Sequence, residues 1–158
     1  MAELRFGLGF DVHPRGEAPP LLLGGVRFEG EPRLEGHSDA DVICHAVADA
    51  MLGAAALGDL GTHFPDDDPA TAGMGGMDLL VRAVELIRGA AFRPISCDVV
   101  VVAEVPPIAP RRDEMRANLA RVLGVSIDRI SVKATRPEGL GLTGDGAACI
   151  ALAVATTP

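Results

Sequence analysis

The sequence predicts an α+β fold: a mixed sheet of four or more strands with helices packed on one face. Three observations predict it. Stretches of strand and helix character follow in the order β-β-α-α-β-α-β-β, which lacks the strict alternation of a doubly wound parallel fold. Residues 95–103 form a continuous apolar and β-branched run around Val99, Val100, Val101 and Val102, as expected of a strand buried on both faces. Residues 77–91 and 111–123 place apolar side chains at helical spacing. A chain of 158 residues that is 48% hydrophobic suits one domain over residues 1–158 with a sizeable core.

Residues 4–12 alternate loosely and read as a first strand ending at Asp11-Val12-His13, before a loop marked by Pro14, Gly16, Pro19 and Pro20. Leu21, Leu22 and Leu23, then Gly24-Gly25, then Val26, Arg27 and Phe28 read as a short hairpin. A helix is expected from about Asp39 to residues 53–57. It places Asp41, His45 and Asp49 on one polar stripe and Val42, Ile43, Ala46, Val47, Ala50 and Met51 toward a core. Residues 58–69 are turn-rich and residues 73–76 glycine-rich. In residues 77–91, Leu79, Leu80, Ala83, Val84 and Ile87 form the apolar face, and Gly89 stands near the end. Pro106, Pro107 and Pro110 break the β-branched run, and a helix over 111–123 follows with Gly124 as its stop. Strands at 130–134 and 148–155 flank a glycine-rich loop.

Composition narrows the function. The net charge of −8 leaves no basic stripe to neutralise a nucleic acid backbone. No apolar run is long enough for a transmembrane helix, and the first residues lack the pattern of a signal peptide, so neither is expected. Three widely spaced cysteines, Cys44, Cys97 and Cys149, read as reduced and packed in a cytoplasmic protein. A phosphorylated ligand in so acidic a chain needs local positive charge: a metal ion, a helix N-terminus, or single Lys and Arg side chains.

Asp11 and His13, two apart in an extended chain, point to the same side. With a helical histidine they offer N, N and O donors, the set of a zinc site that keeps one position open. His45, flanked by acids at i−4 and i+4, is that third donor, and Asp49 is positioned by spacing to orient its other ring nitrogen. His37, with Ser38 and Asp39 as helix caps, is placed to hold phosphate at a helix start. Asp66, Asp67 and Asp68 read as a solvated turn, without the glycine and final glutamate of a calcium loop. Residues 133–146 combine Lys133, Thr135, Arg136, Glu138 and four glycines, which suits backbone approach to phosphate, with Glu138 reaching a phosphate-bound magnesium. On residues alone, a zinc hydrolase of phosphate or acyl esters and a non-enzymatic metal-binding trimer also fit.

Five stretches together resemble one family: Gly9-Phe10-Asp11-Val12-His13; residues 36–45 continuing to Asp49; residues 53–61; Phe64-Pro65-Asp66; and Lys133-Ala134-Thr135 with Glu138. That family is 2-C-methyl-D-erythritol 2,4-cyclodiphosphate synthase, of the non-mevalonate isoprenoid pathway. The resemblance implies a homotrimer with sheets around a central axis and active sites between subunits. It implies a lyase that converts 4-diphosphocytidyl-2-C-methyl-D-erythritol 2-phosphate to the cyclic diphosphate plus CMP. It implies one Zn²⁺ per subunit on Asp11, His13 and His45, and Mg²⁺ or Mn²⁺ at Glu138 with the substrate diphosphate. Catalytic roles fall on His37 and Arg136. Contacts to substrate fall on Asp11, Val12, His13, His37, Ser38, Asp59, Leu60, Gly61, Phe64, Pro65, Asp66, Asp67 and Asp68. The cytidine side falls on Ala103, Glu104, Val105, Pro106, Pro107, Ile108 and Ala109 and on the turn of Thr135, Arg136, Pro137 and Glu138, with further substrate contacts on Lys133, Ala134, Leu142 and Asp145. The chain departs from the family's pattern where Arg136-Pro137 replace threonines and where Leu142, Asp145 and Ala147 replace Phe, Arg and Glu.

Overall fold

The strand β1 (Leu4–His13) sets the architecture by strict alternation. Phe6, Leu8, Phe10 and Val12 are exposed on one face, while Gly7 and Gly9 are buried on the other and Asp11 and His13 are half-buried there. The two glycines have a clear purpose: a Cβ at Gly7 would fall on the carbonyl of Ala50, and one at Gly9 on the carbonyl of Ala46. Helix α1 (Val42–Ala54) therefore lies directly on β1, with Ala46, Ala50 and Ala54 meeting glycine instead of interdigitating with large side chains. The computed structural model describes every residue except Asp66, Ala72 and Leu142.

The remaining described strands and α-helices are the hairpin strands β2 (Leu21–Leu23) and β3 (Val26–Phe28), helices α2 (Leu60–His63), α3 (Gly76–Gly89) and α4 (Arg112–Leu123), and strands β4 (Arg93–Ala103), β5 (Ile130–Thr135) and β6 (Ala147–Thr156). β1, β6, β4 and β5 form a mixed four-stranded sheet in that order. β6 runs antiparallel to both β1 and β4, while β4 and β5 are parallel and joined through α4. The helix side of the sheet is apolar and buried: Cys97, Val99 and Val101 from β4, Ile130 and Val132 from β5, and Cys149, Ala151 and Ala153 from β6. These pack with Ile43, Met51, Leu80, Ile87, Met115 and Leu119 in one core cluster. The α+β class, the mixed sheet and the hairpin follow the sequence pattern, and α4 ends where Gly124 adopts a left-handed φ of 71°.

Three expectations are corrected. β4 is buried on one face only; Asp98, Val100 and Val102 on the other are half-exposed within a single chain. β-branched residues fill both faces, so periodicity could not separate a covered face from one that one chain leaves open. Helix α1 starts at Val42, not near Asp39, because Asp41 is its cap: the Asp41 carboxylate accepts from the amides of Ile43 and Cys44, both at 3.1 Å. The same carboxylate takes the amides of Gly24 and Gly25 at 2.8 Å, so this fully buried acid also fastens the hairpin turn to the helix. Lastly, the turn-rich segment after residue 58 contains a one-turn helix, α2, capped by Asp59, whose Oδ1 accepts from the Thr62 amide at 2.9 Å.

Candidate active site and metal centre

The end of β1 and the first turn of α1 bring three donors together. Asp11 Oδ2 lies 3.2 Å from His13 Nε2 and 3.1 Å from His45 Nδ1. One ligand atom from each of the three residues lies within 4.8 Å of the others, the one such group among the described residues. The ring of His13 is oriented from behind: its Nδ1 donates to the Glu35 carbonyl at 2.9 Å. That bond leaves Nε2 with a lone pair when the ring is neutral, and the lone pair then faces carboxylate oxygen. A cation must sit between them, and either a proton or a metal ion serves. In the metal-free chain the site favours a proton there. The hydrogen bond to Asp11 raises His13 against the opposing effect of burial. Burial pushes Asp11 upward, yet hydrogen bonds from His13 and His45 outweigh it and hold the carboxyl at about 2.

The donor set, its half-burial and the pre-oriented His13 ring fit a zinc ion with an open position. Asp49 does not orient His45, as the helical spacing suggested. Its Oδ1 accepts from the Leu60 amide at 2.8 Å and so anchors the start of α2, while His45 Nε2 is buried without a hydrogen-bond partner among the described residues.

These donors open into a cavity of about 410 Å³. His37, Ser38, Leu60, Gly61, Phe64 and Pro65 also line it, as the sequence reading grouped them. The helix-start phosphate cradle is not formed as expected, because the first amides of α1 are taken by Asp41. Ser38 and Asp39 are not caps. Ser38, at φ 65°, donates to the Met74 carbonyl, and Asp39 Oδ1 accepts from the Gly76 amide at 2.9 Å. Both thereby dock the His37 loop onto the start of α3. Thr71, Gly73, Met74 and Leu79 complete the wall and were missed. They carry no distinctive chemistry, so no residue-type signal marked them, and only the Ser38–Met74 contact reveals why that segment comes near.

Other predicted site residues lie elsewhere. Val12 points to the opposite sheet face. Asp59 and Asp68 make local turn bonds, Asp68 Oδ1 accepting from the Ala70 amide at 2.9 Å, and Asp67 is exposed. Asp66 and Leu142 fall outside the described residues. Ala103 closes β4, and Glu104, Val105, Pro106, Pro107, Ile108 and Ala109 follow it, with Pro106 and Ile108 buried and Glu104, Val105 and Pro107 exposed. Lys133 Nζ pairs with Asp98 Oδ2 at 2.6 Å on the outer sheet face. Ala134, Thr135 and Arg136 are exposed, Pro137 is buried, and Glu138 is exposed at φ 53° in the turn that follows. Asp145 is exposed before β6. The pairing register carries Thr135 through Val102 and Ala148 to Val12, so the β5 turn stands level with the Asp11–His13–His45 cluster but three strands away. That is about 14 Å at ordinary strand spacing.

This fold and this donor cluster coincide with the YgbB family, which matches residues 4–157, and the chain belongs to it. Curated relatives narrow the class to 2-C-methyl-D-erythritol 2,4-cyclodiphosphate synthases, which are lyases. The synthase of Symbiobacterium thermophilum is 51% identical over 94% of this chain and 95% of its own length. That of Trichlorobacter lovleyi is 50% identical over 96% of each. Among solved structures, the bifunctional IspDF of Campylobacter jejuni is 39% identical with a TM-score of 0.94, covering 100% of this chain and 43% of that one. The CDP complex of IspF from Plasmodium falciparum is 31% identical with a TM-score of 0.83, over 98% and 96% of the two chains. None of the described helices is long and apolar enough to cross a membrane.

Proposed function

We propose that the chain converts 4-diphosphocytidyl-2-C-methyl-D-erythritol 2-phosphate to 2-C-methyl-D-erythritol 2,4-cyclodiphosphate and CMP. The observation that carries this reading is the Asp11–His13–His45 cluster at the mouth of a cavity walled by His37, Ser38 and Phe64, in a chain half identical to synthases of that name. A 2-phosphate oxygen bonds to the β-phosphorus, and the bond from that phosphorus to the CMP oxygen breaks with its electron pair leaving on CMP. No side-chain nucleophile is required. The difficulty is the approach of one anion to another in an acidic chain.

Asp11, His13 and His45 hold zinc in this reading. Glu138, exposed and with no neighbouring metal cluster among the described residues, offers the single carboxylate with which magnesium or manganese commonly meets a phosphate. When bound, these ions supply positive charge that neutralises the reacting phosphates. The chain's own residues do the placing. Ser38 and Asp39 lock the loop that presents His37 to a phosphate, while Leu60, Phe64 and Pro65 exclude water beside the methylerythritol portion. Residues 103–109 and the turn from Lys133 to Glu138, with Arg136 toward phosphate and Asp145 close by, form the cytidine side.

The assembly is a homotrimer with sites between subunits. Two observations support it. Phe6, Leu8, Phe10, Val12, Ile150 and Leu152 expose one apolar sheet face, with Leu8 70% exposed, and such a face marks an interaction surface. And within one chain the β5 turn stands three strands from the β1 donors, which favours a neighbour's turn completing the site. Crystals grown with zinc and CDP test the reading: anomalous signal at the zinc edge is expected among Asp11, His13 and His45, with a CDP phosphate beside it. Nucleotide bound away from that cluster would overturn it.

A further inference from the structure

Arg15 has no assigned part in the reaction, yet its guanidinium joins three segments. Its Nη2 donates to the Val105 carbonyl at 2.7 Å and its Nε to the Asp145 carbonyl at 3.1 Å, while Nη1 pairs with Glu31 at 3.4 Å. The side chain is only 14% exposed. Its backbone is held as firmly: Arg15 bridges to Leu34, the Gly16 amide donates to the Arg33 carbonyl, and the Glu35 amide donates to the Pro14 carbonyl, both at 2.8 Å. Glu35 is the residue whose carbonyl orients His13. One side chain therefore ties the strand that carries two metal donors to the loop leaving β4 and to the loop entering β6. His13, Ala147 and Ala103 share one row at that end of the sheet, so these are the three strand ends that a guanidinium there can span.

Val105 itself is 46% exposed, between the buried Ala103 and Ile108. Its carbonyl bond to Arg15 is the charge-assisted restraint on the solvent side of this segment. We propose that Arg15 is a positioning residue that sets nucleotide affinity, by fastening the Glu104–Ile108 stretch to the rigid end of β1 so that it is presented in one conformation to the site between subunits. The proposal rests on the reading of that stretch as the cytidine side. A planar fork with separate N–H directions is needed to hold two carbonyls and a carboxylate at once, and the point charge of lysine cannot do this.

The test compares zinc-loaded wild type with Arg15→Lys and Arg15→Gln. CDP affinity is read by calorimetry, and KM and kcat with the diphosphocytidyl substrate are measured alongside zinc content and melting temperature. The expected result is CDP affinity weakened roughly tenfold or more and KM raised in parallel, with kcat per zinc site within about twofold of wild type. Lysine should rescue no better than glutamine. CDP affinity within twofold of wild type in both variants overturns the proposal. So does a loss of affinity that merely tracks lost zinc or lost folding, which assigns Arg15 to the scaffold alone. If wild type binds no CDP, the nucleotide reading itself fails and takes the inference with it.

Discussion

His13 shows how a few ångströms decide chemistry at the scale of a residue. Its Nδ1 is committed to the Glu35 carbonyl, so its Nε2 and Asp11 Oδ2 share a gap that either a proton or a metal ion must fill. Two outcomes follow. In His45→Ala, zinc should fall from about one ion per chain to near zero by atomic emission, because two donors do not retain it. The pH dependence of stability should also change sign with metal loading. In the metal-free chain His13 is raised by its bond to Asp11, so its contribution is complete below its ordinary value of 6.5 and is lost as pH rises through the raised one. Asp11, held at about 2, contributes above 3.8 and loses that contribution as pH falls, partly opposed by Asp49, which burial pushes up. Zinc needs neutral imidazoles, so the loaded protein behaves oppositely. Melting temperatures between pH 6 and 8 should fall for the metal-free protein and rise for the zinc form; parallel slopes would remove His13 from the metal site. Asp11 and His13 were legible because two residues in a strand share a face. The true job of Asp49 was not, because its partner Leu60 belongs to a turn that helical spacing cannot see.

Among the elements, the contact of α1 with β1 governs where those donors stand. Glycine at positions 7 and 9 lets the alanine face of α1 come close enough for His45 to reach Asp11. Gly9→Ala should therefore cost about 1–3 kcal/mol by overpacking. It should weaken zinc affinity as well, since the helix moves away from the strand that carries its partners. A calorimetric scan and a zinc titration on one sample check both effects, and lost stability with unchanged zinc affinity would uncouple them. The elements themselves were readable where a pattern is self-contained: β1 by alternation, α3 by its apolar spacing, the hairpin by Gly24-Gly25, α4 by Gly124. The start of α1 was misplaced because Ser38, Asp39 and Asp41 are all good caps by type. What selects Asp41 is tertiary: the amides of Gly24 and Gly25 reach its carboxylate from the hairpin.

For the whole molecule, the exposed face of the sheet is the unfinished part of a single chain. Phe6, Leu8 and Phe10 stand in solvent on β1, next to Ile150 and Leu152 on β6. The alternation of β1 was legible in the sequence, but what covers its outer Phe6, Leu8 and Phe10 was not a matter of periodicity and came only from the family resemblance, which implies sheets around a central axis. In the proposed trimer that face is covered. Leu8→Asp should then shift the protein from trimer to monomer in analytical ultracentrifugation and abolish turnover while the monomer remains folded; a trimer that persists would place the interface elsewhere. The central claim is cyclisation, and the ratio of products tests it most directly. Purified zinc-loaded protein incubated with 4-diphosphocytidyl-2-C-methyl-D-erythritol 2-phosphate and Mg²⁺, followed by phosphorus NMR, should release CMP and the cyclic diphosphate in equal amounts. CMP accompanied by linear phosphates instead would mean that water is the nucleophile, and would contradict the account.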